Sequence, residues 1–369
     1  MFVVGGVEID QGERVALLGK SGSGKTSLIR AAICLKEGPR PVLDGQDFCS
    51  SPDYSKVSAV GQEPAWQVLA ESSKEELSLI SRYHPVDFKV AQNLMGPYFD
   101  TPFNRLSDGY KRRFVLSSVL AGEPKYLLLD EPLSNLDDEA VKLVSSSFPS
   151  TSLIAEHRVK DLRALVQRAY VIEGKAKEIE LDLLWSERFL KSHGLRGFRV
   201  FREKRPLGEV LLSAEVKGIK LEVRKREVLC IVGPNGAGKT TTIRELSRKG
   251  VRPVFQSPDL QFFFRTVKDE VGSSEAMQLF QLTDKASRSP YSLSFGEKMR
   301  VLMASALASE AKVVAFDEPS AGMDGDALVS FVKALELMVE QDRGVVVATH
   351  DSDVIDLCDS TIRLSWSSW

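Results

Sequence analysis

The chain of 369 residues is poor in cysteine, and its four cysteines, Cys34, Cys49, Cys230 and Cys358, show no C-x-x-C spacing. That scatter fits neither a zinc or iron–sulfur site nor a disulfide framework, so reduced thiols in a cytosolic compartment are the expectation. No apolar run approaches the ~18 residues a membrane helix needs. The opening MFVVGGVEIDQGER lacks the basic and apolar regions of a secretion signal. An excess of one charge is missing as well: 49 Lys and Arg face 51 Asp and Glu. Such a balance gives no electrostatic footprint for nucleic acid. What is present, 43% apolar and 27% charged residues, is ordinary for a globular chain. At ~150 residues per domain, the length predicts two domains.

An internal repeat organises the chain. GKSGSGKT at Gly19 to Thr26 returns as GPNGAGKT at Gly233 to Thr240. Each copy follows an apolar run, RVALLG or EVLCIVG, and precedes a helix-like stretch, SLIRAAI or TTIREL, which is the strand–loop–helix context of a phosphate-binding loop. Further pairs recur in the same order: Gln62 with Pro64 and Gln256 with Pro258, LSDGY and LSFGE, LLLDEP and VAFDEP, AEH ending at His157 and ATH ending at His350. From loop lysine to glutamine there are 37 residues in the first copy (62 − 25) and 17 in the second (256 − 239), so a peripheral hairpin or loop is expected to be missing from the second. The predicted organisation is α/β: a first module over 1–180, a linker over 181–197 and a shorter second module over 198–369. In the linker, Leu181, Leu184, Trp185, Phe189 and Leu190 fall near helical spacing, predicting a short packed helix with the Trp in the core, closed by Gly194.

The repeated residues suit phosphate chemistry. Gly19, Gly22 and Gly24, and Gly233, Gly236 and Gly238, let backbone N–H groups and a helix dipole converge on phosphate oxygens. Lys25 and Lys239 add a point charge for the β and γ phosphates, and the hydroxyls of Thr26 and Thr240 can ligate Mg²⁺. Asp130-Glu131 and Asp317-Glu318 each end an apolar run, which places them at the carboxyl edge of a buried parallel strand. There the Asp can hold the Mg²⁺ shell and the Glu can serve as general base towards a water. His84 and His193 have no such context and read as surface or satisfied residues.

In this order, P-loop, glutamine loop, LSxG signature, LLLDEP, the SNLD or SAGMD segment and a strand-end histidine resemble an ATP-binding cassette (ABC) ATPase, twice over and across nearly the whole chain. The resemblance implies two tandem P-loop modules, each a parallel-sheet core with a helical subdomain, set head to tail. It implies ATP and Mg²⁺ as ligands, with Gln62 and Gln256 also near the metal. Each site would be composite: Lys25, Gln62, Glu131 and His157 with Ser294 and Gly296, and Lys239, Gln256, Glu318 and His350 with Ser107 and Gly109. The segments Asn135 to Asp137 and Gly322 to Asp324 would line the opposite site, and pairing within one chain would need no homodimer. The signatures depart from the usual LSGGQ at Asp108, Tyr110, Phe295 and Glu297. The family's adenine-stacking aromatic has only Phe2 near its place in the first module and Phe201 as a remote candidate in the second.

VFQSPDLQFFFRTVKDEV resembles the glutamine segment of energy-coupling factor and cobalt-type importer ATPases, and VGQEPAWQVLAESSKEEL is a looser version, with Gln67 standing where Gln261 stands. This implies an energising subunit for vitamin or metal-ion uptake, held at the cytoplasmic face of the membrane by transmembrane partners that touch the glutamine-loop surface, and no nucleic-acid partner. Trp66 and Phe262 to Phe264 are the expected contact residues; three adjacent aromatics cannot all face one core. A soluble tandem cassette protein acting on ribosomes or nucleic acid is the alternative, but it predicts an iron–sulfur cysteine cluster, a long charged linker and a basic surface, which this sequence lacks. A nucleotide-gated structural protein with little turnover is a third reading, suggested by the altered signatures.

Overall fold

The structure, a computed structural model, describes all residues except 63, 135, 137, 217, 235 and 365–369, together with the side chains of 108, 138 and 139. Asn135 and Asp137 of the segment singled out above therefore lie outside the described residues. The chain separates into two compact units, Met1–Phe198 and Arg199–Trp369. Among the described residues, no helix is long and apolar enough to cross a membrane.

The first unit contains, in order, β1 (Phe2–Val4), β2 (Val7–Ile9), β3 (Arg14–Leu18), α1 (Lys25–Ala32), β4 (Val42–Leu43), β5 (Gln46–Asp47), β6 (Val57–Val60), α2 (Ser73–Ile80), α3 (Phe88–Met95) and α4 (Asp108–Leu120). β7 (Tyr126–Asp130), α5 (Asp138–Ser146), β8 (Ser152–Glu156), β9 (Arg168–Glu173), β10 (Lys175–Ile179) and α6 (Glu187–Ser192) complete it. Its main sheet runs β10-β9-β3-β8-β7-β6 among the described residues, and β10 alone is antiparallel to its neighbour. Every residue of β7 and β8 is buried, as expected where helices cover both faces of a parallel strand. A smaller sheet, β2-β1-β4-β5, carries the short hairpin of β4 and β5.

The second unit contains β11 (Val210–Val216), β12 (Ile219–Arg224), β13 (Val228–Val232), α7 (Lys239–Ser247), β14 (Arg252–Val254), α8 (Val267–Val271), α9 (Ser274–Leu279) and α10 (Phe295–Ala308). β15 (Val313–Asp317), α11 (Gly325–Glu340), β16 (Gly344–Thr349), α12 (Ser352–Ile355) and β17 (Ser360–Arg363) follow. Its all-parallel sheet is β14-β15-β16-β13-β17. Here α7 leads directly to β14, with no counterpart of the β4–β5 hairpin, which accounts for the shortened second copy. α2 and α3 pack against α4, and α8 and α9 against α10, forming the helical part of each unit. The helix starts are chemically marked: Ser72 and Asp87 cap α2 and α3, Thr266 and Ser273 cap α8 and α9, and Asp324 caps α11.

The strand order fixes where the repeated motifs meet. β8 lies between β3 and β7, with Leu18 opposite Glu156 and Asp130 opposite Ala155. β16 lies likewise between β13 and β15, with Val232 opposite Thr349 and Asp317 opposite Ala348. In each unit the glycine loop, the acidic pair and the histidine therefore leave the sheet at adjacent carboxyl ends, where open α/β sheets bind ligands.

Two sequence expectations are corrected by the packing. The linker is not one helix with a core Trp: residues 181–185 form a 3₁₀ turn and α6 follows. Leu184 and Leu190 are buried, but Trp185 is 65% exposed, with the Arg163 guanidinium over its ring at 4.3 Å. Adjacent residues of a tight turn face different ways, so only part of the apolar set reaches the core. Arg196, fully buried, joins this segment to the first unit by a bridge to Arg158. Phe2 is fully buried against Phe48 and Tyr126 and has no face free for a base, whereas Phe201 is exposed.

The cysteines, lastly, are paired. Cys34–Cys49 and Cys230–Cys358 form disulfides, with Cα atoms 5.7 and 5.8 Å apart. Linear spacing hid this because partners meet only through the fold: Cys34 follows α1 and Cys49 follows β5, while Cys230 on β13 meets Cys358 just before β17, the strand that pairs with β13. Titration of the unfolded, unreduced protein should find no free thiol. Replacing Cys34 and Cys49 with Ser should cost about 3 kcal/mol, the scale for closing a loop of this size, measured by urea unfolding. Four titratable thiols without reductant would disprove the pairing.

Candidate functional site

Each glycine loop turns into its helix through a left-handed residue, Gly24 (φ 107°) before α1 and Gly238 (φ 90°) before α7, a conformation that costs a non-glycine residue dearly. The loop of the second unit passes so close to the last strand that a Cβ on Gly233 would lie 2.8 Å from the Leu364 carbonyl. Lys25 donates to the carbonyls of Gly19 and Lys20. Lys239 makes the same pair of bonds, to Gly233 at 2.7 Å and Pro234 at 3.1 Å. Both ammonium groups are buried and folded back into a ring of backbone, facing the cradle that the helix N-terminus completes.

The acidic pairs end fully buried strands. Burial pushes the Asp130 carboxyl up to about 6, against a Thr26 hydrogen bond that lowers it and with the Glu131 charge adding to the rise. Asp317 is pushed up to about 6 in the same way, with Thr240 and Glu318 in the corresponding places. In both aspartates Oδ1 is buried and has no hydrogen-bond partner. A hydroxyl and a carboxylate with an orphaned oxygen form, in each unit, a donor set suited to a hard cation that keeps most of its shell for water and phosphate. Among the described residues no group of three or more His, Cys, Asp or Glu could hold a metal, so a cation here would depend on its ligand's oxygens.

The following glutamates take the left-handed backbone region, Glu131 at φ 50° and Glu318 at φ 48°, a strain typical of functional sites. The turn aims each carboxylate back across the sheet edge at its histidine. His157 Nδ1 lies 3.2 Å from Glu131 Oε1, and His350 Nδ1 lies 2.9 Å from Glu318 Oε1. Burial alone would raise Glu318, but the hydrogen bond and charge of His350, and then Lys239, hold it below the ordinary carboxylate value. Glu131 is likewise held low against its burial by His157, Lys25 and Arg112. Burial works against the charged form of His350, yet the bond to Glu318 prevails and holds its proton more tightly than usual. A carboxylate kept ionised beside an imidazole is equipped to accept a proton from water.

The two units differ around this shared pair. Gln62 donates to Glu131 Oε2 at 3.0 Å, whereas in the second unit Lys239 bonds Glu318 Oε1 at 3.1 Å and Gln256 lies half-buried in the loop after β14. Ser107 and Gly109 start α4, and Ser294 and Gly296 start α10. Ser294 and Glu297 form a reciprocal capping box, so the residue that departs from the usual signature glutamine holds the helix start. Asp324, from the Gly322 to Asp324 segment, is occupied in capping α11. His84 is exposed, and His193 is satisfied by the Phe189 carbonyl at 2.8 Å and Glu173 at 3.3 Å.

Several contributors escaped the sequence reading. Arg112, buried, donates to the Glu131 carbonyl at 2.6 Å and the Gln62 carbonyl at 3.1 Å, tying the signature helix to both segments. The equivalent residue, 187 positions on (299 − 112), is Met299. Glu76 accepts the amides of Leu69 and Ala70, and Glu270 those of Phe263 and Phe264. Their offset of 194 (270 − 76) equals that of the glutamines (256 − 62), a signal that was available. Gln67 and Gln261 pin the same loops from inside, accepting from Gly61 and Phe255. So braced, the loops present apolar side chains outward: Trp66 is 79% exposed, Leu260 90%, Phe263 80% and Phe264 53%, while Phe262 is buried.

The ABC transporter family model matches residues 6–134, 216–250 and 243–321. An ABC transporter ATP-binding protein of Saccharolobus solfataricus is 28% identical, covering 96% of this chain and 87% of its own. An HMP/thiamine import ATP-binding protein of Bacillus subtilis is 24% identical, covering 97% and 84%. Among solved structures, an RNase-L inhibitor (TM-score 0.69, 19% identical, covering 96% and 84%) shares the fold. So does an archaeal ribosome recycling factor solved with a ribosomal stalk protein (TM-score 0.69, 20% identical, covering 97% and 84%).

The buried aspartates give a pH test. Their folded-state values, about 6, lie above the unfolded value of 3.8, so stability falls as pH rises from about 4 to about 6 and stays reduced above. Asp130→Asn and Asp317→Asn should each stabilise the nucleotide-free protein at pH 8 by on the order of 2 kcal/mol, and by less at pH 5, in urea unfolding. Equal effects at both pH values would refute the desolvated carboxylates.

Proposed function

The chain belongs to the ABC transporter family and is an ATPase, and we propose that it energises a membrane importer of the energy-coupling factor type, for a vitamin or a metal ion. The observation that carries this reading is the pair of braced glutamine loops, whose Trp66, Leu260, Phe263 and Phe264 stand exposed on the segments that also carry Gln62 and Gln256. Large apolar side chains clustered on rigid loops suit an apolar partner surface better than water. The import ATP-binding relative supports the same direction. The protein would then lie peripherally at the cytoplasmic face of the membrane, docked on integral subunits.

In this reading Lys25, Thr26 and the amides of Gly22 and Gly24, or Lys239, Thr240 and those of Gly236 and Gly238, bind the phosphates, and the signature residues Ser294 and Gly296, and Ser107 and Gly109, supply further donors to nucleotide phosphate. Thr26 with Asp130, and Thr240 with Asp317, would hold Mg²⁺, with Gln62 and Gln256 nearby, and the ion would neutralise charge on the β and γ oxygens. Glu131 and Glu318 take a proton from the attacking water. His157 and His350, kept in orientation by those glutamates, face the γ-phosphate. The fold shared with an archaeal ribosome recycling factor is the observation on the side of a soluble ribosome-directed role, and at 20% identity it concerns the fold alone.

Glu131→Gln and Glu318→Gln should each slow hydrolysis while preserving ATP binding, the double variant by the ~10²–10⁴-fold typical of a lost general base. Unaltered turnover in both single variants would remove the glutamates from that role. Phe263→Glu should abolish association with membranes and coupled uptake without affecting ATP binding. If the folded variant still cofractionates with membranes, the importer reading gives way to the soluble one.

A further inference from the structure

The two units align residue for residue at the histidine, and one position beside it is chemically inverted. Residue 349 is Thr; its counterpart 193 positions earlier (349 − 156) is Glu156. Thr349 Oγ1 donates to Glu318 Oε2 at 3.1 Å and accepts from the Asp351 amide at 3.0 Å. The His350 amide points at the same Oε2 at 3.4 Å, leaving Oε1 to His350 Nδ1 and Lys239. Glu318 is thus fastened from the strand end, and it rests on the lysine of the phosphate loop.

In the first unit the donor is gone. The Glu156 carboxylate accepts the amides of His157 at 3.1 Å, Arg158 at 3.4 Å and Leu133 at 3.4 Å, and lies 3.9 Å from His157 Nδ1. Its oxygens are taken up by these amides, and among the described residues it makes no hydrogen bond to Glu131 of the kind Thr349 makes to Glu318. Glu131 Oε2 instead takes the Gln62 amide, and Lys25 keeps the two carbonyl bonds that Lys239 also makes but, among the described residues, forms no ion pair with Glu131 like that of Lys239 with Glu318. Burial disfavours the charge on Glu156, the His157 ring opposes that, and Glu131 adds to it.

We propose that position 156/349 is a positioning residue that makes the two nucleotide sites unequal: Thr349 holds Glu318 on Lys239, so phosphate must displace that ion pair, whereas Glu156 leaves Lys25 ready to receive phosphate. The inference rests on the proposed roles of the two lysines and glutamates. Its consequence is tighter nucleotide binding at the site of Lys25 than at that of Lys239. Arg112, present only in the first unit, also places charge near Glu131 and must be separated from Glu156 in the test.

The experiment uses the full chain and a fluorescent N-methylanthraniloyl ATP analogue, titrated without turnover in Glu131→Gln, Glu318→Gln protein. Adding Lys239→Ala reports the first site, and adding Lys25→Ala the second; because the glutamines blunt the ion pair, the same comparison is made as KM against kcat with both glutamates intact. With those intact, Glu156→Thr should raise KM at the first site about three- to tenfold, the scale of one hydrogen-bonded contact, and leave kcat nearly unchanged. Thr349→Val, nearly isosteric but without a donor, should lower KM at the second site by a similar factor. Glu156→Gln, which regains a donor, should behave like Glu156→Thr. An unchanged or lower KM in folded Glu156→Thr protein overturns the inference, as does an equal increase from Arg112→Met with none from Glu156→Thr. Absence of nucleotide binding in the unmodified chain would overturn the site assignment itself, which distinguishes the two failures.

Discussion

Each unit is built around an acidic pair driven into the carboxyl edge of a strand with no exposed residue. A carboxylate there loses water, and the structure answers in two ways within two residues. The aspartate accepts one hydroxyl and keeps a buried oxygen without a hydrogen-bond partner; the glutamate, turned by a left-handed backbone, is held ionised by an imidazole and by neighbouring positive charge. The strand order then follows as a requirement, because only with β8 between β3 and β7, or β16 between β13 and β15, do glycine loop, acidic pair and histidine share one edge.

Around this constraint the two units diverge in the supporting groups and keep the residues of the repeated motifs. The lysines, threonines, aspartates, glutamates and histidines recur at matching places. Their supports do not: Arg112 corresponds to Met299, Glu156 corresponds to Thr349, and a capping box at Ser294 has no described counterpart at Ser107. Buried charges respond strongly to neighbours, so changes of this kind alter a site without touching a reacting atom. The braced glutamine loops show the opposite pattern. Their internal clamps, Gln67 and Glu76 or Gln261 and Glu270, are kept while the outward side chains change from Trp66 and Leu69 to Leu260, Phe263 and Phe264.

Much of this was legible because it is local. A glycine loop, its lysine and the following helix occupy eight or so consecutive positions, and a buried parallel strand announces itself as a run such as YLLLD or VVAFD. The duplication supplied a second reading of every motif, and the exposure of part of the Phe262 to Phe264 run followed from side-chain direction alone.

By itself, then, the sequence determined the two P-loop modules, the order of their motifs and the loss of a hairpin from the second copy, since each is written in adjacent residues or in spacing. Tertiary structure decided what depends on residues far apart in the chain. It paired cysteines 128 positions apart, buried Phe2 and exposed Trp185, brought Arg112 to the carbonyl of Glu131, and set a donor beside one glutamate and an acceptor beside the other. The reason is physical: a side chain's worth is set by burial and by its partners' hydrogens and charges, and those partners are assembled only when the sheet closes.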